Sequence, residues 1–188
     1  MKAGLATLLL ASAFGAGCAT MSSEGAPKTA ASPAAVSSAL ASIAAEVSET
    51  SQRGFIEKMV SFGTRSTISD ATSNSRGIGA ARRWVESEFR GMSSACGGCL
   101  EIVTPSDTVT GARYPQPTLV VNVVAIQRGT TDPNRVIVIQ GHLDSRNSTN
   151  ENVTDDAPGA NDDASGVAAV MESARILSKR KFAGTIVY

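Results

Sequence analysis

The sequence predicts an α/β domain, in which helices pack on a sheet of apolar strands. Apolar residues recur at helical spacing before residue 100, β-branched runs follow, and a helical stripe returns after residue 164. An apolar content of 42% in 188 residues is enough to build a core. The 17 Lys and Arg residues balance the 17 Asp and Glu residues, so the charge gives no indication of a nucleic-acid partner.

The helical part of the chain is predicted to contain three helices before the strands and one after them. Residues 40–62 have helical spacing that is interrupted near Arg53-Gly54, which predicts two short helices. Residues 78–91 resume the period, and Gly91 is placed to end that helix. The stripe of Val, Met, Ala and Leu side chains in ASGVAAVMESARILSKR predicts the last helix.

The runs LEIVTP, TLVVNVVAIQRG and RVIVIQGHL are predicted strands because they are rich in β-branched residues. Residues 132–134 (Asp-Pro-Asn) supply a turn, so the last two runs are predicted to form a hairpin or neighbouring strands. Residues 136–139 are apolar without a break, which predicts a strand covered on both faces. GTIVY at residues 184–188 begins a further strand, and no turn follows it, so we expect a domain truncated at its C-terminus.

Residues 1–19 are predicted to be an export signal, in which Lys2 precedes an uncharged apolar run. That run is shorter than the roughly 20 residues of a membrane-crossing helix, so no transmembrane span is expected in the mature protein. GAGC at residues 15–18 is similar to a bacterial lipobox, although Gly15 stands where a large aliphatic residue is usual. Lipidation of Cys18 and ordinary cleavage nearby therefore stay open as alternatives.

The signal predicts a protein that is periplasmic, extracellular or held on the cell envelope by a lipid anchor. Residues 20–39, rich in Ser, Ala and Pro, are predicted to be a flexible linker, and residues 40–188 the folded part. Cys96 and Cys99 form a C-x-x-C pair, for which an exported protein favours a local disulfide over half a zinc site or a redox pair. A second C-x-x-C, which a four-sulfur zinc site needs, is absent from the sequence.

Residues 141–166 connect a predicted strand to a predicted helix and contain the one histidine of the chain, His142. Open α/β sheets bind ligands at the carboxyl ends of their strands, where this loop begins. Imidazole is the commonest metal ligand, and Asp144 is spaced to accept a hydrogen bond from its second nitrogen. Asp162 and Asp163 precede the helix, where a carboxylate could reach the same ion or bridge two ions.

Each of these residues also has a simpler interpretation. His142 could be a structural histidine, and Asp163 or Ser165 could cap the helix. A calcium site in an exported structural module is a further alternative, because Asp and Asn oxygens suit that cation, but the spacing does not fit an EF-hand loop.

The combination of GHLDS with PGANDDASGVAAVME resembles the zinc aminopeptidases with two co-catalytic zinc ions, peptidase family M28, a group that includes glutamate carboxypeptidase-like enzymes. Weaker similarity in FGTRST, RGIGAARRWV and VVNVVA extends the resemblance over residues 50–188. The resemblance implies a three-layer helix-sheet-helix zinc exopeptidase fold with a mixed central sheet, truncated at the C-terminus.

The resemblance also implies roles for four residues. His142 binds one Zn²⁺ and Asp162 bridges both, while Asp144 is the catalytic-site residue that orients His142 and Asp163 follows in a strained turn. The family's Glu-Glu pair, its further Asp ligand and its second His ligand have no counterpart here, and Glu172 lies within the predicted helix with no Glu beside it.

The predicted function is therefore a zinc-dependent exopeptidase of the aminopeptidase type, which acts on peptides with a metal-activated water. Because a general base and further ligands are missing, these 188 residues alone are expected to be inactive. The alternative is a non-catalytic binding or scaffold domain of the cell envelope, derived from the same fold.

Overall fold

A computed structural model of the chain describes residues 32–149 and 151–188, and the predicted signal and Cys18 lie outside them. These residues form a mixed α/β fold, as predicted. In chain order the elements are α1 (Pro33–Ala44), α2 (Glu49–Val60), α3 (Gly77–Ala95), β1 (Glu101–Val103), β2 (Ser106–Val109), β3 (Thr118–Val121), β4 (Val124–Gln127), β5 (Asp132–Val138), an irregular turn (Ala160–Ala164), α4 (Ser165–Leu177) and β6 (Gly184–Val187).

The first two helices differ from the prediction in their bounds. α1 begins at Pro33, within the segment predicted to be a flexible linker, and Leu40 on it is 61% exposed. The break between the helices lies before Ser48, whose hydroxyl caps α2 by accepting a hydrogen bond from the Ser51 N–H, and not at Gly54. Gly54 is tolerated inside α2 because it lies on an exposed face.

α3 has the predicted buried face, which includes Ile78, Val85 and Phe89. The prediction that Gly91 ends this helix is wrong, because the helix continues to Ala95 with Gly91 facing open space. The chain turns instead at residues 97–98, two glycines with positive φ.

The main sheet has four strands in the order β1-β4-β6-β5, with β5 and β6 parallel and the other pairs antiparallel. The predicted strand in TLVVNVVAIQRG is two strands, since β3 pairs with β2 in a separate sheet and β4 joins the main sheet. The predicted hairpin of β4 with β5 is wrong because β6 lies between them. Residues 132–134 are the irregular start of β5, whose register with β6 shifts between Asp132 and Val136.

The prediction that residues 136–139 form a strand covered on both faces is also wrong for the described residues. Val136, Ile137 and Val138 are 51%, 54% and 59% exposed. β5 is an edge strand of the described sheet, so its far side has no neighbouring strand among these residues. The buried strand is β6, where Gly184, Thr185 and Ile186 are all buried.

The core lies where α2, α3 and α4 meet the sheet, and Met59 and Met171 at its centre are fully buried. β5 leads into the loop predicted to hold a metal, and α4 leads out of it, so the loop lies between the sheet edge and the core helices. Among the residues that the structure describes, no helix has the length and apolar character that a membrane span requires.

Candidate metal centre

His142 and Asp162 face each other across the ends of the long loop. The His142 Nε2 atom lies 2.9 Å from Asp162 Oδ1, although the two residues are twenty positions apart in the sequence. The side chains are 56% and 87% exposed, so an ion from solvent can reach both. The structure thus brings together the two residues predicted to be zinc ligands.

Asp144 lies on the other side of the imidazole. The His142 Nδ1 atom is 3.2 Å from Asp144 Oδ1 and 3.1 Å from the Asp144 carbonyl oxygen. Both oxygens can only accept, so they favour the proton on Nδ1 and leave the Nε2 lone pair directed toward Asp162. A histidine that binds a metal through Nε2 needs this tautomer, in which the proton is on Nδ1.

The same contacts change the acidity of the ring. Partial burial lowers the pKa of His142, but the hydrogen bond to the Asp144 carbonyl and the charges of Asp144 and Asp163 raise it by more. The net result is a pKa above the ordinary value for histidine.

Asp163 joins the end of β5 to the start of α4. Its Oδ2 accepts a hydrogen bond of 2.9 Å from the His142 N–H, and its Oδ1 accepts one of 3.0 Å from the Gly166 N–H. The N-cap residue of α4 is Ala164, which forms no side-chain capping bond, so Asp163 is not the N-cap considered for it. Its carboxylate instead connects the His142 backbone to the first turn of α4. The peptide bond between Asp162 and Asp163 is cis.

Two glycines allow this junction to be tight. A Cβ atom at Gly141 would lie 2.8 Å from the Gly166 carbonyl carbon, and one at Gly166 would lie 2.2 Å from Asp163 Oδ1. A side chain at Gly141 would collide with the backbone of the first turn of α4, and one at Gly166 would displace the Asp163 carboxylate. Both glycines are therefore needed for close approach.

The pair has the right donors and nearly the right spacing for zinc. Zinc binds His nitrogen and carboxylate oxygen at about 2 Å in tetrahedral geometry, which requires the two ligand atoms to be about 3.3 Å apart. The observed separation of 2.9 Å is slightly shorter than this, so a small outward movement would admit the ion. Across residues 32–149 and 151–188, however, no group of three or more His, Cys, Asp or Glu side chains is placed to hold a metal.

Three residues near the pair were not predicted as site residues. The Thr67 hydroxyl donates a 3.1 Å hydrogen bond to Asp144 Oδ2. Arg65 and Ser145 connect the two ends of the loop through main-chain carbonyls. The segment that contains Arg65 and Thr67 reads as a turn-rich connection in the sequence, and the only signal for it was the weak resemblance in FGTRST.

Glu172, the acidic residue of α4, takes no part in the candidate centre. It is 3% exposed and accepts hydrogen bonds of 2.6 and 2.7 Å from Arg175 and one of 2.7 Å from the Ser48 N–H. Its pKa is lowered, first by the hydrogen bond from Arg175.

Cys96 and Cys99 are joined by a disulfide with an S–S distance of 1.98 Å, at the turn that ends α3. They lie on the opposite end of α3 from the segment that approaches the metal loop. Their sulfur atoms are therefore part of a structural link in this structure.

A pocket of about 350 Å³ opens beside the pair. Its lining contains the candidate ligands together with two cationic side chains, as follows: Arg113, His142, Asp144, Ser145, Arg146 and Asp162.

The comparison with known proteins agrees with this geometry. Residues 122–187, which include the whole loop and α4, match the profile of peptidase family M28. Over these residues the chain belongs to peptidase family M28. A "Probable zinc metalloprotease" from Pyricularia oryzae is 47% identical over 144 residues, which is 76% of this chain and 29% of that relative.

Two solved structures share the fold. Legionella pneumophila LapA matches with a TM-score of 0.54 at 25% identity, covering 80% of this chain and 37% of that chain. Porphyromonas gingivalis glutaminyl cyclase matches with a TM-score of 0.55 at 24% identity, covering 76% of this chain and 45% of that one, and shows the fold alone. The chain spans about a third of the length of the curated relatives that it matches.

Proposed function

We propose that this chain is the N-terminal part of a zinc-dependent exopeptidase of the aminopeptidase type, with a site for two zinc ions. The observation that carries the proposal is the position of His142 Nε2, 2.9 Å from Asp162 Oδ1, with its other nitrogen held by Asp144. The names of the curated relatives support zinc and proteolysis, and another structure of the Legionella pneumophila protein is described as that of an aminopeptidase.

The described residues have distinct roles in this proposal. Asp144 holds the proton on Nδ1 of His142, which keeps the Nε2 lone pair available for a metal. Asp162, with its side chain 87% exposed, has room to use its second oxygen for a second ion. When bound, zinc supplies a polarised carbonyl and a water of lowered pKa.

The remaining parts of the catalytic apparatus are proposed to lie beyond these 188 residues. Glu172 is buried in an ion pair, so it is not free to accept a proton from water. The curated relatives are about three times as long as the matched segment, which leaves room for a general base and for further ligands. We therefore expect the 188-residue chain to bind zinc weakly and to have no peptidase activity.

Zinc binding by the chain itself can be measured because it has one histidine. In NMR spectra recorded during titration with Zn²⁺, the imidazole signals of His142 should shift and saturate, and Asp162→Asn should weaken the binding about tenfold or more. Asp155→Asn, in the same loop but exposed and bonded only locally to Asn152, is the matched control and should bind zinc as the wild type does. A wild-type protein whose imidazole signals do not respond to zinc would contradict the proposed site.

Activity should be measured on a longer form of the protein that includes the sequence beyond Tyr188. It should release the N-terminal residue of peptides with a free amino group, lose this activity with a chelator, and regain it with Zn²⁺. Asp162→Ala should lower kcat/KM by at least a hundredfold, while Asp155→Asn should leave it unchanged.

Three outcomes of that assay would lead to other conclusions. Release of residues only from the carboxyl end would replace the aminopeptidase assignment with a carboxypeptidase. Cyclisation of N-terminal glutamine without hydrolysis would place the protein with the glutaminyl cyclases of the same fold. A long form that binds no zinc and cleaves no peptide would favour the non-catalytic binding or scaffold domain.

We also propose that the protein is exported, because of its N-terminal signal and the disulfide of Cys96 with Cys99, a bond that persists in oxidising compartments. Cell fractionation should find it outside the cytoplasm. Labelling with a fatty-acid analogue tests the lipid anchor, since Cys18→Ala should abolish the label if Cys18 is lipidated and should leave secretion intact if it is not.

A further inference from the structure

Arg65 is the largest fully buried side chain of the described residues, with 0% exposure. Its guanidinium donates hydrogen bonds of 2.8 to 3.1 Å to four main-chain carbonyls, those of Met59, Leu143, Pro158 and Gly159. Burying a cation destabilises the folded state unless its donors form hydrogen bonds. The four hydrogen bonds therefore indicate a specific arrangement and not an accident of side-chain packing.

The carbonyls belong to the two segments that carry the candidate ligands. Leu143 lies between His142 and Asp144, while Pro158 and Gly159 lead directly into the turn that holds Asp162. The guanidinium therefore connects the segment that follows β5 to the segment that precedes α4, at 2.9 Å on one side and 2.8 and 3.1 Å on the other.

The Arg65 backbone and Ser145 make a second connection between the same segments. The Arg65 N–H donates to Ser145 Oγ at 3.1 Å, and the Ser145 hydroxyl donates to the Ala157 carbonyl at 2.5 Å. Ser145 is itself 4% exposed. Since Gly159 has a positive φ of 48° and a Cβ atom there would lie 3.0 Å from Arg65 Nη2 and 2.6 Å from Ser145 Cβ, the backbone approaches both residues closely.

The charge of Arg65 also suits this position. Burial lowers the pKa of Arg65, and the nearby charges of Asp144 and Asp163 offset part of this effect, so the resulting pKa is about 10. The guanidinium is therefore protonated at neutral pH. A cation here offsets part of the repulsion between the carboxylates of the loop before any metal binds.

We propose that Arg65 is a positioning residue that sets the distance between His142 and Asp162 and so prepares the pair for zinc. This inference rests on the proposed function, because it concerns the same two ligands. Arginine suits this role because Nε, Nη1 and Nη2 donate from three separate positions of one planar group. A lysine donates from a single nitrogen and would keep only part of these hydrogen bonds.

The test compares zinc affinity with fold stability in the 188-residue chain. The dissociation constant for Zn²⁺ is measured from the His142 imidazole signals, and Tm is measured in the absence of metal. Arg65→Lys should weaken zinc binding by 10- to 100-fold, the range typical of residues that orient metal ligands. It should also lower Tm, because buried carbonyls lose their donors.

Arg175→Lys is the matched control for lost stability. Arg175 is partly buried, with its side chain 28% exposed, and it connects α4 to the α1–α2 connection by bonding Glu172 and the Glu46 carbonyl. None of these partners belongs to the loop of residues 141–166. The substitution should lower Tm and leave zinc affinity unchanged. Ser145→Ala keeps the cation and removes only the second connection, so it should weaken zinc binding by several-fold. It should lower Tm less than Arg65→Lys, because fewer buried hydrogen bonds are lost. It carries the test if Arg65→Lys does not fold.

The outcomes separate this inference from the proposed function. If wild-type protein does not bind zinc at His142, the proposed function fails. If the wild type binds zinc and both Arg65→Lys and Ser145→Ala bind it equally well, the pair is positioned without Arg65 and this inference is overturned.

Discussion

A single hydroxyl, that of Thr67, holds the second oxygen of the Asp144 carboxylate. Because the first oxygen faces His142 Nδ1, the carboxylate is fixed on both sides. The orientation of the imidazole thus depends on a residue far away in the sequence, in the connection between α2 and α3.

Thr67→Val removes this hydroxyl with little change of volume. Asp144 would then rotate more freely, and zinc affinity should fall about tenfold. The dissociation constant of Zn²⁺ from the imidazole signals checks this. Thr130→Val is the control, because the Thr130 hydroxyl also donates one hydrogen bond, to the Phe182 carbonyl, in a loop outside the site. An equal loss of zinc affinity in both variants would contradict the role of Thr67.

The four residues predicted as site residues lie in one loop of recognisable pattern, namely His142, Asp144, Asp162 and Asp163. Arg65, Thr67 and Ser145 were not predicted, because most of their partners are 12 to 94 positions away in the sequence. Local spacing contains no information about contacts of that kind. They follow from the tertiary fold, which places the α2–α3 connection under the loop.

At the level of elements, Glu172 links α4 to the beginning of α2. It accepts hydrogen bonds from Arg175 on its own helix and from the Ser48 N–H at the N-terminus of α2, while Arg180 forms an ion pair with Glu46 next to it. These contacts fix α2 against α4, the helix that carries the second half of the candidate site.

Glu172→Gln should therefore lower the free energy of unfolding by about 1–3 kcal/mol at neutral pH, the usual value of hydrogen bonds to a charged group. The folded pKa of Glu172 is lowered, so its contribution is present above the ordinary pKa of 4.5 and is lost as the pH falls through the folded pKa. Urea unfolding should show the difference between wild type and variant shrinking below about pH 4.5.

The control is Glu49→Gln, which removes an ion pair with Arg53 in which the side chains are 87% and 66% exposed. Its effect should be within about 0.5 kcal/mol. A difference between wild type and Glu172→Gln that stayed constant down to pH 3 would show that the carboxylate is not the source of the stability.

The order of the strands in the sheet could not be predicted from local sequence patterns. The short runs of β4, β5 and β6 were each recognisable as strands, but periodicity gives no partner for a strand. The connection through α4 returns the chain to the sheet as a parallel neighbour of β5, and β6 thereby separates two strands that are adjacent in sequence.

For the described residues as a whole, the most unusual surface feature is that the apolar side chains of β5 are exposed to solvent. Val136, Ile137 and Val138 are each more than half exposed on a strand whose outer edge has no described partner. The chain spans about a third of the length of its curated relatives, and the matched part leaves this edge of the sheet open.

The open edge predicts that the 188-residue chain associates with itself as its concentration rises, since an exposed apolar edge strand can pair with another copy. Ile137→Lys should reduce the association by placing a charge on this strand, and Tm should stay within a few degrees because the side chain is 54% exposed. Leu119→Lys is the matched control, because Leu119 is also 54% exposed but lies on β3 in the small two-stranded sheet. Sedimentation velocity over a range of concentrations measures the association. If Leu119→Lys reduced it as much as Ile137→Lys, general surface hydrophobicity and not the β5 edge would be its cause.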